Sequence, residues 1–256
     1  MLSKAGIKHL HSLQQNKFRK KHGQFLAEGS INVLDFIAGP LKVVQLYATE
    51  KWITENRKSL SGLKYEAITR KELEKISTLK NPSEVLAVVE KPEYTLPDIS
   101  LINSYVPALD DIKDPGNLGT IIRTADWFGF RDIVCSLETV DAFNPKVVQA
   151  TMGSLARVQV HYTNLADWLS HKPENLNVFG AVLNGHDIRE TGKPGKGILL
   201  IGSEAHGISK TLYPLIDEPV RIPAAVGSGA ESLNAAVATA IVCYEFGKQE
   251  IPSEKK

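Results

Sequence analysis

Two hydrophobic periods alternate along this chain. Val43-Val44-Gln45-Leu46-Tyr47 and Val85-Leu86-Ala87-Val88-Val89 read as strands, whereas residues 31–38 and 71–77 repeat apolar positions at helical spacing. Between residues 90 and 100 both patterns stop. Pro92 and Pro97 there discourage helix and fit no central strand, which predicts a linker and two domains, 1–98 and 99–256. Beyond it, strands are predicted over 105–109, 132–135, 158–161, 178–183, 197–201 and 220–222. Helices are predicted between them, near 117–128, 145–152, 164–170, 209–213 and 232–246. The unbroken run Gly197-Ile198-Leu199-Leu200-Ile201 predicts a parallel sheet covered on both faces, so the fold class is α/β. Ligands of such sheets bind beyond the carboxyl ends of the strands.

Composition narrows the function classes. With 43% hydrophobic and 23% charged residues, 19 Gly and 13 Pro in 256, the chain is neither disordered nor collagen-like, and 2 Cys do not make a disulfide scaffold. Cys135 and Cys243 sit in Ile133-Val134-Cys135 and Ile241-Val242-Cys243, a core setting, and the seven histidines lack ligand spacing, so no metal is expected. No apolar run reaches the roughly 18 residues of a bilayer span, and the first residues lack a signal peptide's apolar stretch. A soluble, cytoplasmic protein without a membrane partner is expected.

Charge adds a division that composition hides. The net +1 combines 16 Lys and Arg against 11 Asp and Glu in residues 1–98 with 14 against 18 in residues 99–256. In the first 30 residues Lys4, Lys8, Lys17, Arg19, Lys20 and Lys21 face one acid, Glu28. This reads either as an arm directed at a polyanion or as the solvated face of a terminal helix.

Candidate chemistry gathers in three loops. They are Asp110-Asp111-Ile112-Lys113-Asp114-Pro115-Gly116-Asn117, continuing through Arg123; Gly202-Ser203-Glu204-Ala205-His206-Gly207; and Ile222-Pro223, continuing through Ser232-Leu233-Asn234. None matches G-x-G-x-x-G, G-x-x-x-x-G-K-[ST] or G-x-S-x-G, which leaves dinucleotide oxidoreductases, P-loop proteins and α/β-hydrolases without their fingerprints. Taken singly, the residues have plain structural readings. Asn117, Ser232 and Asn234 suit helix caps, Glu204 suits a helix N-terminus, Arg123 suits a solvent-facing helix position, and His206 suits an exposed turn.

In this order, however, the three loops resemble the signature motifs of the SpoU (TrmH-type) RNA ribose 2′-O-methyltransferases. Asn117 and Arg123 fit the first motif, Gly202-Ser203-Glu204 with Gly207 the second, and Ile222-Pro223 with Ser232-Leu233-Asn234 the third. Ala235-Ala236 and Ala224 depart from common family choices without removing a polar group. Phe25-Leu26-Ala27-Glu28-Gly29 and Val85-Leu86-Ala87-Val88-Val89 more weakly resemble the family's small substrate-binding domain.

The resemblance implies a parallel sheet ending in a trefoil knot and S-adenosylmethionine held mainly by backbone at Leu183, Asn184, Gly185, Gly202, Ile222 and Leu233. It also implies a homodimer that completes the active site, with Asn117, Arg123, Glu204, Ser232 and Asn234 as catalytic residues. The substrate implied is ribosomal or transfer RNA, docked through Lys17, Arg19, Lys20 and Lys21. In the C-terminal helix, Ala235, Ala238 and Ala240 with Val237, Ile241 and Tyr244 are the expected dimer contacts. Arg123 acts either as the base, which asks an arginine to fall about five pKa units at a cost of roughly 7 kcal/mol, or as a clamp on phosphate and the developing alkoxide. A non-catalytic RNA-binding protein that keeps the fold is the alternative.

Overall fold

The computed structural model describes residues 2–247. The chain forms two compact units: Met1–Glu93 with Asp141–Arg157, and Tyr94–Val140 with Val158–Lys256.

The first unit carries α1 (Lys4–Ser12), α2 (Asn16–His22), β1 (Gln24–Glu28), α3 (Ser30–Ala38), β2 (Val43–Ala48), α4 (Glu50–Glu55), β3 (Tyr65–Ala67), α5 (Arg70–Ile76) and β4 (Val85–Glu90). Its sheet has the order β1-β4-β2-β3, with β4 antiparallel to both neighbours and β3 parallel to β2. Ser3 caps α1 by accepting from the Gly6 amide at 3.0 Å, and a Thr69–Glu72 capping box opens α5. Gly23, at φ 61°, ends α2 in the left-handed region and turns the chain into β1. Leu10, Leu13, Leu26, Leu73, Ile76 and Leu86 fill one core, each contributing about 1.5–3 kcal/mol by burial.

The second unit opens with β5 (Tyr105–Leu109), α6 (Pro115–Trp127) and β6 (Asp132–Ser136). The chain then enters the first unit as α7 (Pro145–Thr151) and returns as β7 (Gln159–Thr163), α8 (Leu165–Ser170), β8 (Val178–Asp187), β9 (Gly197–Ile201), β10 (Glu218–Arg221) and α9 (Ala235–Phe246). Six strands form one sheet in the order β10-β8-β9-β5-β6-β7, every pair parallel. Ile198, Leu200, Val106, Val134 and Trp168 are among its core. Both cysteines are buried thiols, and burial pushes Cys243 up to about 12 and Cys135 further. Among the described residues no helix is long and apolar enough to cross a membrane.

Three features differ from the sequence expectation. The segment Asp141–Arg157 lies in the first unit, where a linear division at residue 98 had set it with the second. Its Phe143, Val147, Val148 and Leu155 are buried, Asp141 pairs with Arg19 at 2.7 Å, and the Gly153 amide donates to Asn32 Oδ1 at 2.7 Å. Second, residues 209–213 form a turn leading to a 3-10 helix at Tyr213–Leu215, since Pro214 lacks an amide and Asp110 takes the Ser209 amide. Third, short β3 and α4 carry too few periodic positions to have been anticipated.

The new grouping sharpens the charge division. The first unit holds 18 Lys and Arg against 11 Asp and Glu, a net +7, and the second 12 against 18, a net −6.

Candidate functional site

The three loops converge at the carboxyl ends of β5 and β9. After β5, buried Asp110 donates its amide to the Ile201 carbonyl at 2.8 Å and accepts from the Ser209 amide at 2.7 Å. Asp111 adopts φ 58°, a left-handed conformation that its amide bond to Ser136 Oγ at 3.0 Å helps hold. Asp114 then caps α6 by accepting from the Asn117 amide at 2.9 Å, and Pro115 supplies the helical φ of the first turn. Asn117 is thereby fixed in the first turn of α6.

After β9 the chain makes a tight reversal in which Ser203 and Gly207 exchange backbone bonds at 3.1 and 2.8 Å. A side chain at Gly202 has no room, because its Cβ would stand 2.0 Å from the Gly207 carbonyl carbon. Glu204 rides this reversal. The third loop ends on Asn234, whose Oδ1 caps α9 by accepting from the Ala236 and Val237 amides at 3.0 and 3.3 Å.

These placements bring Asn117, Glu204 and Asn234 into one network. Asn117 Nδ2 donates to Glu204 Oε1 at 2.6 Å, Asn234 Nδ2 donates to the same oxygen and to Asn117 Oδ1 at 3.0 Å, and the Ala235 amide reaches Glu204 Oε1 at 3.3 Å. One carboxylate oxygen therefore ties together loops that lie 87 and 30 positions apart in sequence. Glu204 and Asn234 are exposed and Asn117 is half-buried, so the cluster is a surface cradle held by charge-assisted bonds rather than a buried pair.

Arg123 and Ser232 stand apart from it. Both are exposed, and no hydrogen bond joins either side chain to another described residue. Arg123 is six positions after Asn117, about 120° away around α6, but three after Thr120 and therefore on the Thr120 face. Thr120 lines an apolar groove of about 340 Å³ with Ala236, Val237, Ala240, Ile241 and Tyr244. Helix α9 is apolar on two sides. Ala235, Thr239, Val242, Cys243 and Phe246 face the core, while Val237 and Tyr244 face out. Ala235, expected among the outer contacts, is 4% exposed and packs inward.

Of the residues expected to hold S-adenosylmethionine, Gly202, Ile222 and Leu233 lie past the ends of β9 and β10, whereas Leu183, Asn184 and Gly185 lie within β8. Strand β8 pairs with β10 at Phe179 and Gly180 and again at His186 and Asp187, so residues 181–185 have no partner in β10. Gly185 sits where the chain crosses β10 closely: a Cβ would be 2.5 Å from the Val220 carbonyl carbon. Leu183 is 70% exposed and Leu233 44%, apolar surface that suits an adenine ring. Unladdered backbone, tight glycines and exposed leucines fit a ligand held mainly by main-chain groups.

In the first unit, Lys17, Lys20 and Lys21 are exposed as an RNA contact requires, but Arg19 is not. It is 2% exposed, with Nε and Nη2 on Asp141 at 2.9 and 2.7 Å and Nη1 on the Leu13 and Gln14 carbonyls at 3.0 and 2.8 Å. Its guanidinium is committed inside the unit and has no donor face left for a phosphate. His206 is exposed in the second loop, in keeping with a structural reading.

Two supporting residues escaped the sequence reading, Asp110 and Asp114. Asp110 pins the far end of the Glu204 reversal, and Asp114 fixes the turn that presents Asn117. The available signal was position: acids immediately after a strand and immediately before a helix.

Residues 105–244 match the SpoU rRNA Methylase family, and residues 4–87 match the MRM3-like substrate binding domain. A 23S rRNA (guanosine(2553)-2′-O)-methyltransferase of Bacillus subtilis is 31% identical over 94% of this chain and 95% of that protein. An AdoMet-bound rRNA methyltransferase from Sinorhizobium meliloti has 32% identity and a TM-score of 0.84, covering 96% of this chain and 95% of that one. The SpoU methyltransferase AviRb from Streptomyces viridochromogenes, in complex with AdoMet, has 26% identity and a TM-score of 0.82 over 95% and 97%. With three motif loops closed on one carboxylate and more than half of its length matching, the chain belongs to the SpoU rRNA methylase family.

Proposed function

We propose that this chain transfers a methyl group from S-adenosylmethionine to a ribose 2′-hydroxyl of ribosomal RNA, at the cradle formed by Asn117, Glu204 and Asn234. The observation that carries this reading is the convergence of the three loops on Glu204 Oε1, in a unit whose residues 181–185 stand outside the β10 ladder. When bound, the donor supplies a methyl group activated by its sulfonium centre. The protein must then position the hydroxyl in line and accommodate its proton. Asn117 and Asn234, their carboxamides oriented by Glu204, hold the ribose edge. Ser232, exposed two residues before Asn234, shapes the pocket with it. Arg123 grips an RNA phosphate with its planar fork and stabilises the alkoxide, while that phosphate or a water takes the proton.

Arg123 lies on the α6 face that borders the apolar groove, and the proposed active unit is therefore a homodimer joined through that groove. The partner's copy of the cradle would then receive Arg123. An arginine in the groove, Ala240→Arg, is expected to give a folded monomer with transfer reduced at least a hundredfold. Val242→Arg, at a core-facing position 2% exposed, is expected to unfold the second unit instead. Light scattering and melting curves separate the two, and a dimeric, active Ala240→Arg protein would refute the interface.

The reading extends to a trefoil knot, supported by the backbone approaches at Gly185 and Gly202 that only glycine permits. It also extends to a cytoplasmic location, in keeping with two unpaired buried thiols. The deciding experiment combines isotopically labelled S-adenosylmethionine with unmodified bacterial 23S rRNA and maps the product by mass spectrometry. A 2′-O-methylated nucleotide is expected. Base methylation, or RNA binding without transfer, would overturn the assignment and favour a non-catalytic RNA-binding role.

A further inference from the structure

The first unit has a second concentration of positive charge, separate in sequence from the α1–α2 segment. A groove of about 760 Å³ runs between the carboxyl ends of β2 and β3, lined by Lys51 of α4 and by Arg70, Lys71 and Lys75 of α5. All four are exposed. The Lys51 ammonium has Glu55 at 4.0 Å, a distance worth little in solvent, and Arg70 Nη1 leans on the Ser83 carbonyl at 3.4 Å. Two acids share the groove, Glu50 and Glu72. Glu72 places one oxygen on the Leu2 amide at 3.1 Å and the other on the Thr69 amide and hydroxyl at 2.9 Å, so its carboxylate is already engaged by local donors.

Folding does not call for this arrangement. Lys71 and Lys75 are four apart on α5, a like-charge spacing set against the i,i+3 neighbours Glu74 and Glu72, so helix formation alone gives little reason for the pair. Neither carries an ion pair to a described residue. The charges suit an external polyanion, and they belong to the unit with net +7.

We infer that the Lys51–Arg70–Lys71–Lys75 groove binds the phosphodiester backbone of the substrate RNA. The inference rests on the RNA methyltransferase reading and adds to it a second contact surface, independent of Lys17, Lys20 and Lys21. Contacts of this kind set position and affinity without reading sequence. Each phosphate neutralised releases counterions and steepens the salt dependence of binding by about 0.7–0.9 in log–log slope.

The test measures binding of deproteinised bacterial 23S rRNA by the full-length protein across a salt series. The variant Lys51→Gln/Arg70→Gln/Lys71→Gln/Lys75→Gln is expected to lose about two to three units of slope and at least tenfold in affinity at physiological salt. Its affinity for S-adenosylmethionine should not change. Lys71→Gln/Lys75→Gln changes only two exposed side chains of one helix, should stay folded, and is expected to lose one to two units, so misfolding of the fourfold variant does not decide the matter. Wild-type slope and affinity in both variants would overturn the inference, as would a loss confined to Lys17→Gln/Lys20→Gln/Lys21→Gln. A loss seen on whole large ribosomal subunits but not on naked RNA would overturn it too, in favour of a protein partner. Absence of methyl transfer by the wild-type protein would count against the enzymatic reading alone, because the salt slope reads the groove without turnover.

Discussion

Arg123→Ala is expected to lower single-turnover methyl transfer by two to four orders of magnitude while leaving the affinity for S-adenosylmethionine within about twofold. Removing one donor that stabilises a developing oxyanion typically costs about 10²–10³ in rate, and a lost phosphate clamp adds misalignment of the hydroxyl. The side chain is exposed on α6 and packs into no core, so the melting temperature should hardly move. Arg123→Lys should recover little, because a point charge cannot make the fork's paired bonds. The cradle of Asn117, Glu204 and Asn234 remains intact in either variant, which makes the loss specific to Arg123. Transfer near the wild-type rate by Arg123→Ala would remove this residue from the mechanism.

Deleting residues 1–93 is expected to yield an aggregating protein, not a soluble catalytic domain. The fragment would keep Asp141–Arg157 but lose what covers it, exposing Phe143, Val147, Val148 and Leu155, which are at most 3% exposed in the intact chain. Losing the burial of these four side chains forfeits roughly 6–12 kcal/mol at about 1.5–3 kcal/mol each. Asp141 would also lose Arg19. Replacing residues 141–157 by a Gly-Ser linker within the fragment should restore solubility and binding of S-adenosylmethionine. Dye binding and sedimentation check both halves, and a soluble, monodisperse 94–256 fragment without the replacement would contradict this account.

What the sequence made legible followed from local physics. Strands β5 and β9 announced themselves because they are buried on both faces and read as continuous apolar runs. Strand β3 did not, since Tyr65 is 48% exposed and three residues carry no period. The placement of 141–157 was hidden for a related reason. Its apolar helix looks like any crossover helix, and only the pairing of Asp141 with Arg19, 122 positions away, and the packing around Phe143 assign it elsewhere. Arg19 misled in the same way, because one cation in a basic run looks like its neighbours until a buried acid claims it.

The site was legible by kind and not by arrangement. Asn117, Glu204 and Asn234 were identified through their motifs, but nothing in the sequence says that they share one oxygen. Arg123 came from the same motif as Asn117, yet helical geometry turns it toward a different surface.

The break in the β8–β10 ladder has a further energetic consequence. A ligand that drew its hydrogen bonds from a fully paired strand would first have to strip those bonds, and each buried group left unmet costs about 1–3 kcal/mol. Residues 181–185 stand outside the β10 pairing already, while Gly180 and His186 anchor the arch at both ends. These residues are exposed or half-buried, so water meets their amides in the free protein and a ligand has no β10 bonds to break. A ligand docking there, as proposed for S-adenosylmethionine, would meet amides for which β10 does not compete, and its affinity would follow from its own desolvation and ordering.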